Sequence, residues 1–260
     1  MNVHYPEIDK AITYIHNHIY DPLSLEALAK HVSYSPYHFS RIFKERMGIS
    51  PLYYVSSVKL QKAKHLLLHT NLSVRDICEE IGQQSLGTFT TRFSEKVGIA
   101  PSAFRHSTPQ AYSHLEALRN ANERNSNPSF LHRNQARVKG RVNSVIPFEG
   151  VVFIGLFPKP IPEGIPLYGT LLTGQAYYCL PNVKPGIYYL MATTVTWGMQ
   201  ATDLLLPAQT LRTRSRKPIK VEAGSVITEQ VHLYPPRIDD PPILISLQIL
   251  MKQFLSRMQQ

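Results

Sequence analysis

"SPYHFSRIFKERMGISP" (residues 35–51) and "SLGTFTTRFSEKVGIAP" (residues 85–101) align without a gap, fifty residues apart. Seven positions coincide: Ser35/Ser85, Phe39/Phe89, Phe43/Phe93, Glu45/Glu95, Gly48/Gly98, Ile49/Ile99 and Pro51/Pro101. Each copy reads as one helix with defined ends. A serine caps the free amides, and Pro36 suits the first helical position because its missing N–H costs nothing there. Phe39, Ile42 and Phe43 recur at i, i+3 and i+4 as a single apolar face. Gly48 then supplies the left-handed residue that ends the helix, and Ser50-Pro51 opens the next one.

Each copy is preceded by a shorter amphipathic segment. "LSLEALAKHVSY" (23–34) has Ser24 as a cap and Leu25, Leu28, Ala29 and Val32 on one face. "LSVRDICEEIGQ" (72–83) has Ser73 as a cap, Asp76 three residues on, and Val74, Ile77, Cys78 and Ile81 on its apolar face. Two short helices joined by about three residues form a helix-turn-helix unit. The chain therefore carries two such units, joined by "PLYYVSSVKLQKAKHLLLHT" (51–70), whose leucines fall at mostly helical intervals. A helix of that length spans roughly 27–30 Å. One turn of B-DNA is about 34 Å, so such a rod could hold two helices in consecutive major-groove segments.

With the phenylalanines inward, helical phase turns Tyr37, Ser40, Arg41 and Lys44 outward on the first copy. On the second it exposes Gly87, Thr88 and Thr91, with Thr90 nearer the edge. Arginine can bond a guanine bidentately, and a threonine methyl can touch a thymine methyl. The expected base contacts are Tyr37, Ser40, Arg41, Gly87, Thr88, Thr90 and Thr91. The expected phosphate contacts are Lys44, Arg46, Arg92 and Lys96, which position the unit without specifying sequence.

Residues 8–105 resemble the DNA-binding domain of bacterial AraC-type transcriptional regulators. The motifs that carry the likeness are "LSLEALAKHVSYSPYHFSRIFKERMGISP", "KLQKAKHLLL" and "SVRDICEEIGQQSLGTFTTRFSEKVGIAPSAFR". The resemblance implies a seven-helix module that binds an asymmetric double-stranded DNA site, often activating a promoter, with RNA polymerase as a partner. Two positions depart from the family pattern. Arg92 stands one place later than the usual arginine, and Gln83 replaces an aromatic after Gly82. Most members also place this module after a sensor domain, whereas here it comes first.

The remaining chain divides by texture. Residues 109–144 are polar and basic, with 6 Lys+Arg against 2 Asp+Glu, and read as a linker. Arg133, Arg137, Lys139 and Arg141 are its candidates for flanking phosphate contacts. Beyond residue 145, "VVFIGLF", "QAYYCL", "GIYYLMATTVTW" and "SVITEQVHLY" are β-branched and aromatic runs between Pro- and Gly-rich turns, the pattern of a β-sandwich. Tyr177, Tyr178, Tyr188, Tyr189 and Trp197 alternate along these runs as core, and Arg212, Arg214, Arg216 and Lys217 read as a solvated loop. Asp240-Pro241-Pro242 opens a C-terminal helix that caps the sandwich or, as the alternative, pairs with another subunit.

The expected architecture is thus multidomain α and β. An N-terminal all-α double helix-turn-helix domain (1–108) leads through the linker to an all-β, sandwich-like domain with a C-terminal helix (145–260). That second domain would sense an unidentified small-molecule effector or contact a protein. The competing expectation is a binding module whose β-domain holds a carbohydrate or protein and whose helices serve as a docking unit.

The formal charge of +10 suits a polyanionic partner but does not name one. No apolar run approaches the roughly 18 residues needed to span a bilayer, and no secretory signal is legible, which points to the cytoplasm. His16-Asn17-His18 spells a nuclease-like triplet but lies within an amphipathic helix pattern. No catalytic, metal or cofactor motif stands out, so a non-enzymatic protein is expected.

Overall fold

Five serines set the helix starts in the first half of the chain. The computed structural model describes residues 5–122 and 136–258. In it, the hydroxyls of Ser24, Ser35, Ser50, Ser73 and Ser85 each accept from the backbone N–H three residues on, at 3.1–3.4 Å. They cap α2 (Leu25–His31), α3 (Pro36–Met47), α4 (Pro51–His69), α5 (Val74–Glu80) and α6 (Leu86–Val97). Asp76 returns a bond to the Ser73 N–H and completes a capping box. The copies α3 and α6 end alike, at Gly48 with φ +79° and Gly98 with φ +88°. A helix α1 (Pro6–Asn17) and a short α7 (Pro101–Arg105) complete the group. His16 of α1 lies against Tyr54, 3.0 Å from its hydroxyl, as part of this packing.

The phenylalanines point inward as their spacing requires. Phe39, Phe43, Phe89, Phe93 and Phe104 are fully buried with Ile8, Ile12, Leu28, Tyr54 and Ile77 in one core. Arg105 closes the module by donating to the carbonyls of Thr70 (2.8 Å) and Leu72, which pins the turn between α4 and α5.

The segment expected as a linker is in part a helix. α8 (Thr108–Asn122) buries Ala111, Leu115 and Leu118, an i, i+4, i+7 stripe set among polar neighbours. β1 (Arg137–Ser144) follows. Arg133 falls outside the described residues; Arg137, Lys139 and Arg141 belong to β1, so their place is within a sheet rather than a tether.

Two sheets form the second lobe. The first pairs β4 (Tyr177–Leu180), β1 and β8 (Val226–Thr228), with β9 (Val231–Leu233) also on β1. The second runs β3 (Tyr168–Thr173), β2 (Gly150–Phe157), β5 (Gly186–Thr196) and β6 (Arg212–Arg214), with β7 (Ile219–Val221) also on β5. Val138, Val142, Tyr178 and Leu180 of the first sheet share a core with Val152, Ile154, Tyr188 and Leu190 of the second. Tyr177, by contrast, is exposed.

The alternate residues of the second sheet pack the other way. Val151, Phe153 and Val195 join the core of the helical lobe, so β2 is buried along its whole length. That is why "VVFIGLF" is a continuous apolar run rather than an alternating one. α9 (Ala201–Leu205) and α10 (Leu247–Met258) pack with α8 on this side. The final helix begins at Leu247, later than the Asp-Pro-Pro start suggests, because residues 240–246 instead lie as an irregular strap with Ile243, Leu244 and Ile245 buried against the helices. Among the described residues no helix is long and apolar enough to cross a membrane.

Candidate nucleic-acid interface

The repeat gives α3 and α6 matching faces. Tyr37, Arg41 and Lys44 follow at i, i+4 and i+7 on α3 and are exposed, Tyr37 by 82%. Ser40 is half-buried beside them. On α6, Gly87, Thr88, Thr91 and Arg92 are exposed and Thr90 is half-buried. Arg41 is held only lightly, with Nη2 3.4 Å from His38 Nδ1. Five of the seven expected base contacts are thus exposed on α3 and α6, and two, Ser40 and Thr90, are half-buried beside them; the 19 residues of α4, about 28 Å of helix, join the two helices.

The four expected phosphate contacts separate into two kinds. Lys44 and Arg92 are exposed. Arg46 is not available: its side chain is 10% exposed, Nη2 lies 2.7 Å from Asp9 Oδ1 and 3.7 Å from Asp239 Oδ2, and Nη1 donates to the Tyr5 carbonyl. Lys96 is likewise committed, with 14% exposure, 2.7 Å from Glu163 Oε2 and 2.8 Å from the Tyr53 hydroxyl. Positions 46 and 96 are equivalent in the repeat, and each meets a carboxylate of the second lobe. They face inward at the helix ends, so both are removed from the set of phosphate candidates.

Further bonds tie the same ends to the second lobe. Arg214 Nη1 donates to the carbonyl of Met47, the last residue of α3. The Gly164 N–H donates to the Lys96 carbonyl at 2.7 Å, and the Ser246 N–H to the Val97 carbonyl at 3.0 Å, at the end of α6. A Cβ at Gly48 would meet Pro160 Cγ at 2.5 Å, so glycine serves both the left-handed backbone and the close approach. Lys64 of α4 is fully buried and donates to the carbonyls of Ile243 and Leu244 in the strap. The second lobe grips the C-terminal ends of α3 and α6 and the rod between them, and leaves their outer faces open.

Residues 28–107 match the profile of a helix-turn-helix domain family. The HTH-type transcriptional activator AarP of Providencia stuartii is 31% identical over 98 residues, which are 38% of this chain and 73% of that protein. The chain belongs to the AraC-type helix-turn-helix regulators. The uncharacterized HTH-type transcriptional regulator YobQ of Bacillus subtilis is 33% identical over 96 residues, 37% of this chain. The chain spans only 40% of the length of that relative. The C-terminal domain of AraT, a response regulator from Geobacillus stearothermophilus, is 32% identical, covers 40% of this chain and 86% of its own, and superposes with a TM-score of 0.38. The AraC-type match begins at Leu28, behind α1, so the double unit sits within the helical lobe rather than at its start.

The split among the basic residues has a measurable consequence for an AraC-type reader. Removing a single cation from the phosphate backbone should lower the slope of log K against log salt by about 1. Arg92→Ala is expected to reduce that slope on any duplex, while Lys96→Ala leaves it unchanged. An equal reduction by both would return Lys96 to the DNA surface.

Proposed function

We propose that this protein is a sequence-specific transcriptional regulator that places α3 and α6 in consecutive major-groove segments of one duplex. Tyr37, Ser40 and Arg41 read bases in one segment and Gly87, Thr88, Thr90 and Thr91 in the next. Lys44 and Arg92 touch the backbone. The observation that carries this reading is the pair of exposed, serine-capped helix faces held apart by α4. A single chain then does what a helix-turn-helix dimer usually does.

Activation is the favoured direction of regulation, with RNA polymerase as the contacted partner; the similarity to a named activator supports it. The second lobe lies away from the outer faces of α3 and α6, which leaves room for a duplex. Binding of the full chain to randomised duplexes at near-physiological salt tests the reading. It expects an enriched asymmetric site with two short boxes about one helical turn apart. No enrichment from the folded protein would reject it and favour a docking role for the helices.

A further inference from the structure

The basic cluster 212–217 divides: Arg216 and Lys217 are exposed in a bend, as expected, whereas Arg212 and Arg214 lie half-buried in β6, and the setting of Arg214 points to a ligand. β6 places Arg212 and Arg214 two residues apart, on the face of the second sheet that carries Met191 and Thr193. That face is the floor of a cleft between the sheet, the strap 240–246 and α10. The cleft walls are mainly apolar, with Phe153, Phe157, Met191, Leu250 and Phe254 among them, and Arg257 stands at the α10 edge.

Arg212 is tied to its own loop through Nε and Nη2. Nε donates to the Thr210 carbonyl and Nη2 to those of Pro207 and Ala208. Arg214 is different. Its two terminal nitrogens reach the carbonyls of Met47 and Asp239, its buried Nε has no partner, and no carboxylate forms a direct ion pair with it among the described residues. The nearby acids are occupied: Asp239 pairs with Arg216 and Arg46, and Asp240 accepts from the Tyr234 hydroxyl and the Arg237 N–H. Burial pushes the Arg214 guanidinium below its ordinary value despite Tyr234, Asp240 and Asp239 nearby. A largely desolvated cation short of negative charge favours an anion, and apolar walls favour a hydrocarbon body.

We infer that this cleft binds a small apolar monocarboxylate, with its carboxylate on Arg214 and its hydrocarbon body along Met191, Leu250 and Phe254. A guanidinium matches a carboxylate through two parallel N–H···O bonds, and Nε–H is free to supply one of them. The other would come from Nη2, the terminal nitrogen on the same side as Nε–H, which now bonds the Asp239 carbonyl. Occupancy therefore competes with the hold on Asp239, whose carboxylate lies 3.7 Å from Arg46 near the end of α3. This coupling rests on the reading of α3 as a recognition helix; the binding site itself does not.

Calorimetry on the full chain with octanoate and octanol tests the site in the absence of DNA. Octanoate should bind at least ten-fold more tightly than octanol, and Arg214→Gln should remove that preference. Because Arg214→Gln also frees the Met47 carbonyl, Gln253→Glu serves as a second variant. It adds a negative charge to the cleft lining without touching the Arg214 bonds, and should weaken octanoate several-fold while sparing octanol. No binding of octanoate at millimolar concentration, equal binding of octanol, or full octanoate affinity in Gln253→Glu would each overturn the proposal. With the site established, octanoate should shift affinity for the selected duplex in the wild type; an unchanged affinity would overturn the coupling alone.

Discussion

Arg41→Ala is expected to lose about 1–3 kcal/mol at the specific site, the value of one bidentate base contact, or roughly 5- to 150-fold in affinity. The expectation follows from where the side chain stands. It lies one turn beyond Tyr37 on the exposed face of α3, and its only hydrogen bond among the described residues is the long one to His38. Nothing in the fold needs this guanidinium, so the variant should fold as the wild type does. Fluorescence anisotropy on the selected duplex and on single-base variants separates the two roles an arginine can play. A base reader loses discrimination at one position. A phosphate contact weakens all duplexes alike, and that result would move Arg41 to the backbone set. The equivalent position on the second copy is Thr91, uncharged and short, so Thr91→Ala should cost less than Arg41→Ala.

The helical lobe was legible because its punctuation is local. Serine caps, Pro at the first helical position and the glycines that end α3 and α6 act within a few residues, and every one of them falls where the sequence puts it. The outward faces follow from phase once the phenylalanines are inside. What stayed hidden was non-local. Arg46 and Lys96 read as surface cations because their partners are distant in the chain: Asp9 lies 37 residues before Arg46 and Asp239 193 residues after it, and Glu163 lies 67 residues after Lys96. Helical phase cannot report a carboxylate brought in from another lobe.

The same holds for the linker. Ala111, Leu115 and Leu118 are a faint stripe, and only the presence of α9 and α10 makes it worth burying. One signal was within reach. Lys64 sits four residues after Leu60 and three before Leu67, in line with the apolar face of α4. A lysine there needs either solvent or a polar partner, and here the partner is the strap.

That lysine carries the second large expectation. Lys64 is fully buried, its Nζ lies 3.2 and 3.1 Å from the Ile243 and Leu244 carbonyls and 5.6 Å from the Phe104 ring centroid, and burial lowers its pKa to about 7. The unfolded chain holds the proton up to an ordinary lysine value near 10.4. Between those two values the unfolded state binds more protons, so the lysine's destabilising cost is full below pH 7 and fades as pH rises. From pH 7 to pH 9.5 the gain should be on the order of 3 kcal/mol. Lys64→Met keeps the stem, removes the titration and leaves two carbonyls without their donor. Urea unfolding of both proteins at the two pH values gives a difference free of every other titrating group. The wild type should gain on the variant by that amount as pH rises. Equal responses would mean that the ammonium is solvated, and that the strap is held on α4 by its apolar residues alone.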